Sequence, residues 1–285
     1  MNKPINSQVS KGWDSTAEVF AKYISPANIS TGFSTLFAID ALNATIEDPN
    51  KEMTILDIGS GTGGLSLYGT SKYKNARFIS TDFSPKMIQI LDTFIKELNI
   101  QTIESKVMDG QNLEPIKDSS IDYTYSIFAL IFFPDIVKGM KEMYRVLKPG
   151  GKTAIGSWCL DSFLIKVFQQ TMDELLGNNS FKQVALSLSD KQVFEDKLKE
   201  VGFVNIEIKR VQHPMEIQET TDLIKMFSVN PVYFDCLEAL PDDKKPLLDQ
   251  TIINVSNRLL EGHKRNQNGK LELPSFAYIG IGQKN

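Results

Sequence analysis

The chain has 285 residues, of which 41% are hydrophobic and 23% charged, and these values exclude a disordered or fibrous protein. The formal charge of −4 gives no broad attraction to nucleic acid or to anionic membranes. Two cysteines, no signal-peptide pattern and no apolar run of membrane-spanning length favour a reducing compartment. We therefore expect a cytoplasmic globular protein, monomeric or homodimeric.

Two amphipathic helices are expected ahead of the main fold. Trp13 and Phe20 recur at helical spacing in the first, and Phe33 and Leu42 do so in the second. We expect residues 1–48 to form a helical cap at the edge of the fold.

A strand, a glycine-rich turn and a helix start follow this cap. Thr54–Ile58 is apolar and β-branched, which is typical of a buried parallel strand. Gly59, Gly61 and Gly64 come next at the spacing G-x-G-x-x-G, and glycine allows a sharp turn and close approach of a ligand. Such a unit forms a crevice at the carboxyl end of a strand, with free backbone N–H groups at the helix start. The spacing alone suggests a dinucleotide.

Three acidic residues stand at three successive strand ends. Asp57 lies within the end of the first strand, Asp82 ends the second, and Asp109 follows the third. A buried carboxylate is costly unless it is paired, and an ammonium group of a ligand would pair with Asp57. Asp82 can accept from both hydroxyls of a ribose, and Asp109 from an adenine amino group. A dinucleotide has no need of the charge on Asp57.

Five segments together resemble the class I S-adenosylmethionine (SAM) methyltransferases, in the subgroup that acts on small molecules and quinone-like acceptors. They are ILDIGSGTG (Ile55–Gly63), STDFSPKMI (Ser80–Ile88), VMDG (Val107–Gly110), SIDYTYSIFALIFFPD (Ser120–Asp135) and RVLKPGG (Arg145–Gly151). They occur in the family's order and at ordinary intervals. The resemblance implies a Rossmann-like α/β sheet of seven strands, mostly parallel with an antiparallel last strand, and helices on both faces.

The resemblance also implies which residues bind SAM. The expected set is Tyr23, Asp57, Gly59, Ser60, Gly61, Gly63, Asp82, Phe83, Met87, Asp109, Gly110, Ser126 and Ile127. The glycine turn and Asp57 would hold the methionine end, and Phe83 and Met87 would pack on the adenine and ribose. Ser126 would lie beside the methyl donor. Tyr23 either faces the sulfonium, because aromatic faces attract cations, or packs within its helix.

The catalytic base is not evident from the sequence. The loop at 129–133 carries no polar residue, which suggests an apolar or aromatic acceptor. His213 and His263 lie in the C-terminal region, where each is more typical of a surface residue. The two cysteines are far apart in the sequence and form no cluster that would indicate a metal site.

The C-terminal half has weaker patterns. We expect residues 49–212 to form the SAM-binding core, residues 213–272 a helical lid insertion, and residues 273–285 the last strand. Long insertions tend to be functional, and lids that exclude water are common. The insertion could instead cover the sheet edge or build a dimer contact.

Three functional hypotheses follow. The first is a methyltransferase that acts on O, N, S or C of a small molecule, with SAM as cofactor. The second is a nicotinamide-dependent oxidoreductase, which shares the glycine spacing but lacks a Tyr-x-x-x-Lys pattern. The third is a non-catalytic SAM-binding module that regulates a partner.

Overall fold

The computed structural model describes residues 10–23, 29–177 and 186–285. Within these residues, one sheet contains the strands β1 (Met53–Ile58), β2 (Ala76–Asp82), β3 (Ile103–Val107), β4 (Ile121–Ile127), β5 (Leu147–Trp158), β6 (Val204–Ile217) and β7 (Leu271–Gln283). Their order is β3-β2-β1-β4-β5-β7-β6. All neighbours are parallel except that β7 runs antiparallel to β5 and β6. The predicted Rossmann-like methyltransferase sheet is confirmed.

The helices connect and cover these strands. In chain order they are α1 (Ser10–Asp14), α2 (Ala17–Tyr23), α3 (Phe33–Thr45), α4 (Gly64–Lys72), α5 (Pro85–Glu97), α6 (Ile136–Val146), α7 (Phe163–Leu176), α8 (Lys191–Val201), α9 (Asp222–Ser228), α10 (Pro231–Glu238) and α11 (Leu248–Leu259). Local sequence sets several of their ends. The Ser84 hydroxyl accepts from the Met87 backbone N–H and caps α5, while Gly202 ends α8 in a left-handed conformation.

The hydrophobic core lies on both faces of the sheet. On one face, Phe37 of α3 packs with Ile55. On the other, Met143 of α6 and Phe194 of α8 pack in one cluster with Leu56. Successive side chains of a strand point to opposite faces, so β1 must be apolar on both, as its sequence indicated.

The predicted boundaries of the C-terminal insertion, at 213 and 272, are wrong. β6 continues to Ile217, and β7 begins at Leu271, which pairs with Ile217. Pro214 interrupts the strand pattern in the sequence, but β6 is the edge strand, where a proline is tolerated. The helical segment therefore spans residues 218–270, and His213 lies in a strand.

The segment 218–270 has an apolar cluster of its own. Phe227 of α9, Tyr233 of α10 and Val255 of α11 pack with Phe168 of α7. The segment contains helices α9, α10 and α11, and its role as a lid stays a prediction. No helix in the described part of the chain is both long enough and apolar enough to cross a membrane.

Candidate active site

The glycine turn between β1 and α4 is left-handed at three glycines. The φ angles are +69° at Gly59, +54° at Gly61 and +95° at Gly63. A Cβ atom at Gly59 would lie 2.2 Å from Cβ of Ala129, so this glycine lets the turn pack against the loop after β4. A Cβ atom at Gly61 would have nothing within 4 Å. Gly61 therefore faces open space that a ligand can enter.

Two hydroxyl groups in this turn are buried without a partner. Oγ of Ser60 and Oγ1 of Thr62 make no hydrogen bond within the described residues, although Ser60 is 9% and Thr62 1% exposed. A buried polar group without a partner costs roughly 1–3 kcal/mol. A ligand that supplies hydrogen-bond acceptors here would recover that free energy.

Asp57 at the end of β1 is 2% exposed and is held by hydroxyl groups. Its Oδ2 accepts from Oγ of Ser66 at 2.8 Å, and Oγ of Ser80 donates to Oγ of Ser66 at 2.8 Å. Burial raises the pKa of Asp57 to about 7, against the effect of the Ser66 hydrogen bond. The sequence interpretation missed both serines, although each is a polar residue at a buried position of α4 or β2.

Asp82 at the end of β2 is bound to two backbone N–H groups. Oδ2 accepts from the Gly61 N–H and Oδ1 from the Ser84 N–H, each at 2.9 Å. Burial raises its pKa to about 6, and these backbone hydrogen bonds oppose the rise. Each carboxylate oxygen keeps a lone pair, so ribose hydroxyls can still bind. The charge of Asp82 also raises the pKa of Asp57, which places the two acids in one electrostatic centre.

Asp109 lies at the rim of this centre. The Met108 N–H donates to the Asp82 carbonyl oxygen at 2.9 Å, so β3 ends beside β2. The Asp109 carboxylate is exposed and accepts from the Gln111 N–H at 2.8 Å. A Cβ atom at Gly110 would lie 2.5 Å from the Phe133 ring, so Gly110 serves close packing. The structure brings Asp57 and Asp82 together, and the adenine role of Asp109 and Gly110 stays a prediction.

The end of β4 forms the next part of the site. Oγ of Ser126 accepts from the Leu130 N–H at 3.0 Å and so holds the short 3₁₀ turn at Leu130–Phe132. Ile127 packs against Gly156 of β5, with its Cγ2 3.2 Å from where a Cβ would lie. Both side chains shape the loop after β4, and their predicted contact with SAM stays a prediction.

Three further residues were expected to contact SAM, namely Phe83 and Met87 at the adenine and ribose, and Tyr23 at the sulfonium. Phe83 directly follows Asp82 and is half-buried, so part of its ring is accessible. Met87 is only 3% exposed and packs at the first turn of α5. The Tyr23 side chain lies outside the described residues. Of Phe83 and Met87, Phe83 therefore has the more accessible side chain, and the contact of all three residues with SAM stays a prediction.

Comparison with known protein families decides the class of this core. A family model described as a methyltransferase domain matches residues 56–155, which include the glycine turn and both buried acids. Residues 56–155 form a class I SAM-dependent methyltransferase domain. The resemblance predicted from the five sequence segments is confirmed.

Two curated relatives of this methyltransferase domain are quinone methyltransferases. The ubiquinone/menaquinone biosynthesis C-methyltransferase UbiE of Rickettsia prowazekii is 38% identical over 109 residues, or 36% of this chain and 44% of that protein. The demethylmenaquinone methyltransferase of a Geobacillus strain is 26% identical over 184 residues, or 57% of this chain and 78% of that protein. The chain thus spans less than half the length of the Rickettsia relative.

A solved structure extends the fold similarity beyond the matched domain. Phosphoethanolamine N-methyltransferase 2 of Haemonchus contortus, in complex with S-adenosylhomocysteine, aligns with a TM-score of 0.59 at 17% identity. The alignment covers 95% of this chain and 57% of that one. At this identity the similarity concerns the fold.

The residues of the methyltransferase domain fit its cofactor, SAM. The buried acids Asp57 and Asp82 suit a ligand that carries a positive charge and ribose hydroxyls. The hydroxyls of Ser60 and Thr62 are free to donate to a carboxylate. A Cβ atom at Gly61 would meet no atom within 4 Å, so the turn leaves room for a ligand at this residue.

Helix α1 lies against the methyltransferase domain beside Asp82. Oδ1 of Asp14 accepts from Oγ of Ser84 at 2.5 Å and from the Lys86 N–H at 3.1 Å. The Trp13 ring lies 5.2 Å from the Phe132 ring. The described part of the N-terminal segment therefore contacts both α5 and the loop after β4. The sequence analysis expected residues 1–48 to form a cap, and that role stays a prediction.

Four aromatic side chains pack together at the start of the loop after β4. We call this set the aromatic wall, and its members are Phe33, Phe37, Phe128 and Trp158. The rings of Phe128 and Trp158 stack with centroids 3.7 Å apart and planes at 3°. Phe37 meets both rings edge-on, at 5.2 and 5.5 Å. Phe33 lies parallel to Trp158, with centroids 5.7 Å apart.

Phe128 holds its place in the aromatic wall with an unusual backbone. Its φ angle is +59°, which is rare for a bulky side chain and costs roughly 1–2 kcal/mol. Strain of this kind concentrates at functional sites. The sequence interpretation missed the wall, although Phe128 directly follows β4 and Trp158 ends the neighbouring strand β5. Phe33 and Phe37 lie one helical turn apart in α3.

Proposed function

We propose that the protein transfers the methyl group of SAM to a small molecule that contains a planar aromatic or quinone-like ring. The observation that carries this proposal is the buried pair of acids, Asp57 and Asp82, beside the open space at Gly61. Without a cationic ligand, two neighbouring buried carboxylates are unfavourable. With SAM bound, they would face its positive groups and its ribose.

Each end of SAM has a matching group in the chain. The hydroxyls of Ser60 and Thr62 would donate to the methionine carboxylate, and Asp57 would attract the methionine ammonium. The Asp82 carboxylate would accept from the ribose hydroxyls through its remaining lone pairs. Phe83 would pack on the adenine. When bound, SAM supplies an electrophilic methyl group.

The aromatic wall supports the choice of acceptor. Phe128 follows the end of β4 and Trp158 ends β5, next to the strand ends that would hold SAM. Aromatic rings stack best on other planar rings, each pair contributing about 0.5–1.5 kcal/mol beyond burial. The curated relatives are named for ubiquinone and menaquinone methylation, which also supports a quinone-like ring.

The chain's own contribution to rate would be position and exclusion of water. The acceptor atom must lie about 3 Å from the methyl carbon and opposite the sulfur. The aromatic wall would fix the plane of the acceptor, and α1 and the segment 218–270 would exclude solvent.

The first experiment compares cofactors. Thermal unfolding is measured with SAM and with NADH, because a bound ligand stabilises the fold by mass action. We expect SAM to raise the melting temperature and NADH to leave it unchanged. Stabilisation by NADH alone would favour the oxidoreductase hypothesis.

The second experiment tests turnover. SAM labelled in its methyl group is incubated with a panel of phenols, hydroquinones and amines. We expect label in ring-containing products and none in aliphatic amines. SAM binding without any labelled product would favour a non-catalytic SAM-binding module.

A further inference from the structure

A pair of ionisable side chains lies outside the cofactor cleft, on the face of the sheet that α3 covers. Nε2 of His213 lies 2.6 Å from Oδ2 of Asp40. The His213 and Asp40 side chains are 24% and 33% exposed, so the pair is partly shielded and still reaches solvent. A carboxylate on one ring nitrogen fixes the orientation of the imidazole and leaves the other ring nitrogen available for a second hydrogen bond. An imidazole held in this way by a carboxylate is a common arrangement for a side chain that accepts a proton.

The position of His213 along β6 brings it to the same edge of the sheet as the cofactor cleft. Trp158, the last residue of β5, pairs with Ala277, which pairs with Val211. β5 and β6 both run antiparallel to β7, so they run in the same direction. His213 is two residues farther along than Val211 and pairs with Ser275. It therefore extends past the carboxyl end of β5, on the side where an acceptor would bind.

Phe37 connects His213 to the aromatic wall. The Phe37 ring lies 4.8 Å from the His213 ring, with the planes at 90°. Phe37 is fully buried and also contacts Phe128 and Trp158. One ring therefore separates the imidazole from the stacked pair at the ends of β4 and β5.

The nearby charged residue Lys209 pairs with another acid, so it does not compete with His213 for Asp40. Lys209 lies on the same face of β6, and its Nζ pairs with Glu207 at 3.3 Å. Asp40 and Lys209 both line a cavity of about 280 Å³ with Asn43 and Val211. The polar end of the pair is thus in contact with water, through which a proton can leave.

We propose that His213, oriented by Asp40, accepts the proton of a hydroxylated ring bound against the aromatic wall. This inference rests on the proposed function and narrows the acceptor to phenols and hydroquinones. The acceptor's O–H bond breaks, its proton moves to Nδ1 of His213, and the electron pair stays on the acceptor oxygen. That oxygen then becomes the nucleophile, or the ring carbon next to it does, in which case the proton of that carbon is lost to water after the methyl group has been transferred and the ring becomes aromatic again. The imidazolium, paired with the Asp40 carboxylate, then releases the proton to solvent.

The test uses 4-nitrophenol, whose ionised form absorbs at longer wavelength and so reports proton transfer without turnover. The full chain with S-adenosylhomocysteine is titrated with 4-nitrophenol near pH 6. We expect the wild-type protein to bind it with the band of the ionised ring. We expect His213→Gln to bind it with at least tenfold less of this band, and Asp40→Asn to be intermediate. The matched control, His263→Gln, is expected to behave as wild type.

Kinetics supply a second measurement once the labelled-methyl assay has given an acceptor. His213→Gln is expected to lower kcat about 10²–10⁴-fold, the usual contribution of a general base. Its KM for the acceptor is expected to stay within threefold, because the aromatic wall remains. A loss confined to KM would contradict the proposal.

The results separate this inference from the proposed function. S-adenosylhomocysteine binding, followed by calorimetry, is expected to be the same in wild type and His213→Gln. If wild type binds no S-adenosylhomocysteine, the proposed function fails. If it binds and methylates while His213→Gln keeps the ionised band and full kcat, only the role of His213 is overturned. Failure of wild type to bind 4-nitrophenol also overturns this inference.

Discussion

At the scale of single residues, the candidate cofactor site contains two carboxyl groups, Asp57 and Asp82, whose ionisation is opposed by burial. The pKa of Asp57 is raised to about 7 and that of Asp82 to about 6, from ordinary values of 3.8. For an acid with a raised folded-state pKa, stability is full below the unfolded pKa and is lost as pH rises through the folded pKa. The stability that these two groups contribute to the cofactor-free protein is therefore lost progressively between about pH 4 and pH 7, and it stays lost at higher pH.

The loss of stability with rising pH leads to a prediction about how the effect of SAM on the melting temperature depends on pH. The melting temperature of the cofactor-free protein should fall between pH 5 and pH 8. SAM should add more stability at pH 8, because its ammonium group favours the ionised form of Asp57 and hydrogen bonds from its ribose hydroxyls favour the ionised form of Asp82. Asp57→Asn removes one titrating group and should flatten the fall. Melting curves at both pH values, with and without SAM, measure this. Equal slopes for wild type and Asp57→Asn would contradict the account of Asp57.

Asp82→Ala tests the ribose contact. Loss of a charged acceptor should weaken SAM binding by about 1–3 kcal/mol, as measured by calorimetry. Asp109→Ala is the matched comparison, since the Asp109 carboxylate is exposed, and its loss should be smaller. Circular dichroism checks that both variants fold. An unchanged SAM affinity in Asp82→Ala would show that the ribose lies elsewhere.

Gly61→Val tests the open space in the glycine turn. The side chain would enter the space beside Asp82, so SAM binding should be abolished while the chain stays folded. Valine at this positive φ also costs roughly 1–2 kcal/mol per residue. Gly262→Val is the control, because Gly262 has a φ of +80° and no atom within 4 Å of its Cβ position. It should show the same backbone cost and normal SAM affinity; an unfolded Gly61→Val would make Gly61 structural.

At the scale of elements, the segment 218–270 is expected to act as a lid over the acceptor. Phe227 is 1% exposed and packs against Phe168 and Tyr233, at 5.2 and 4.9 Å. Phe227→Leu should cost about 1–2 kcal/mol of stability, a common cost of a core substitution. If the segment is a lid, the acceptor KM should rise several-fold while SAM affinity stays within twofold.

The control for this prediction is Phe194→Leu. Phe194 is equally buried but lies on the opposite side of the sheet, with α8. It should lose similar stability without a change in acceptor KM. Equal kinetics in both variants would mean that the segment only covers the sheet edge.

The elements of the first half of the chain could be predicted because their patterns are local. The strand with its glycine turn and the cap at Ser84 are each encoded within a few residues. The extension of β6 past Pro214 could not be predicted in this way. Whether a strand tolerates proline depends on its place at the edge of the sheet, and that place is set by the whole fold.

The parts of the site that depend on tertiary contacts were also not predictable. Ser66 reaches Asp57 from α4, and Asp40 reaches His213 across 173 residues of sequence. Phe128 and Trp158 stack because β4 and β5 are neighbours in the sheet. The acids at 57 and 82 were found because each stands at a strand end, which the sequence does show.

At the scale of the whole molecule, the strand order places the two buried acids and the aromatic wall side by side. β1 and β2 bring Asp57 and Asp82 together at one edge, and β4 and β5 bring the aromatic wall next to them. α1 contacts α5 near this edge, where Asp14 accepts a hydrogen bond from the Lys86 N–H. β6 extends beyond the same edge of the sheet, and His213 lies in this extension. The division into cap, core and insertion stays a prediction.

The most direct test of the central claim is a crystal structure of the protein with S-adenosylhomocysteine. We expect the nucleoside at the carboxyl ends of β1 and β2, with its ribose hydroxyls about 3 Å from the Asp82 carboxylate. Its carboxylate should contact Ser60 and Thr62, and its sulfur should face Phe128. A ligand bound elsewhere, or an Asp82 carboxylate turned away from the ribose, would contradict the account.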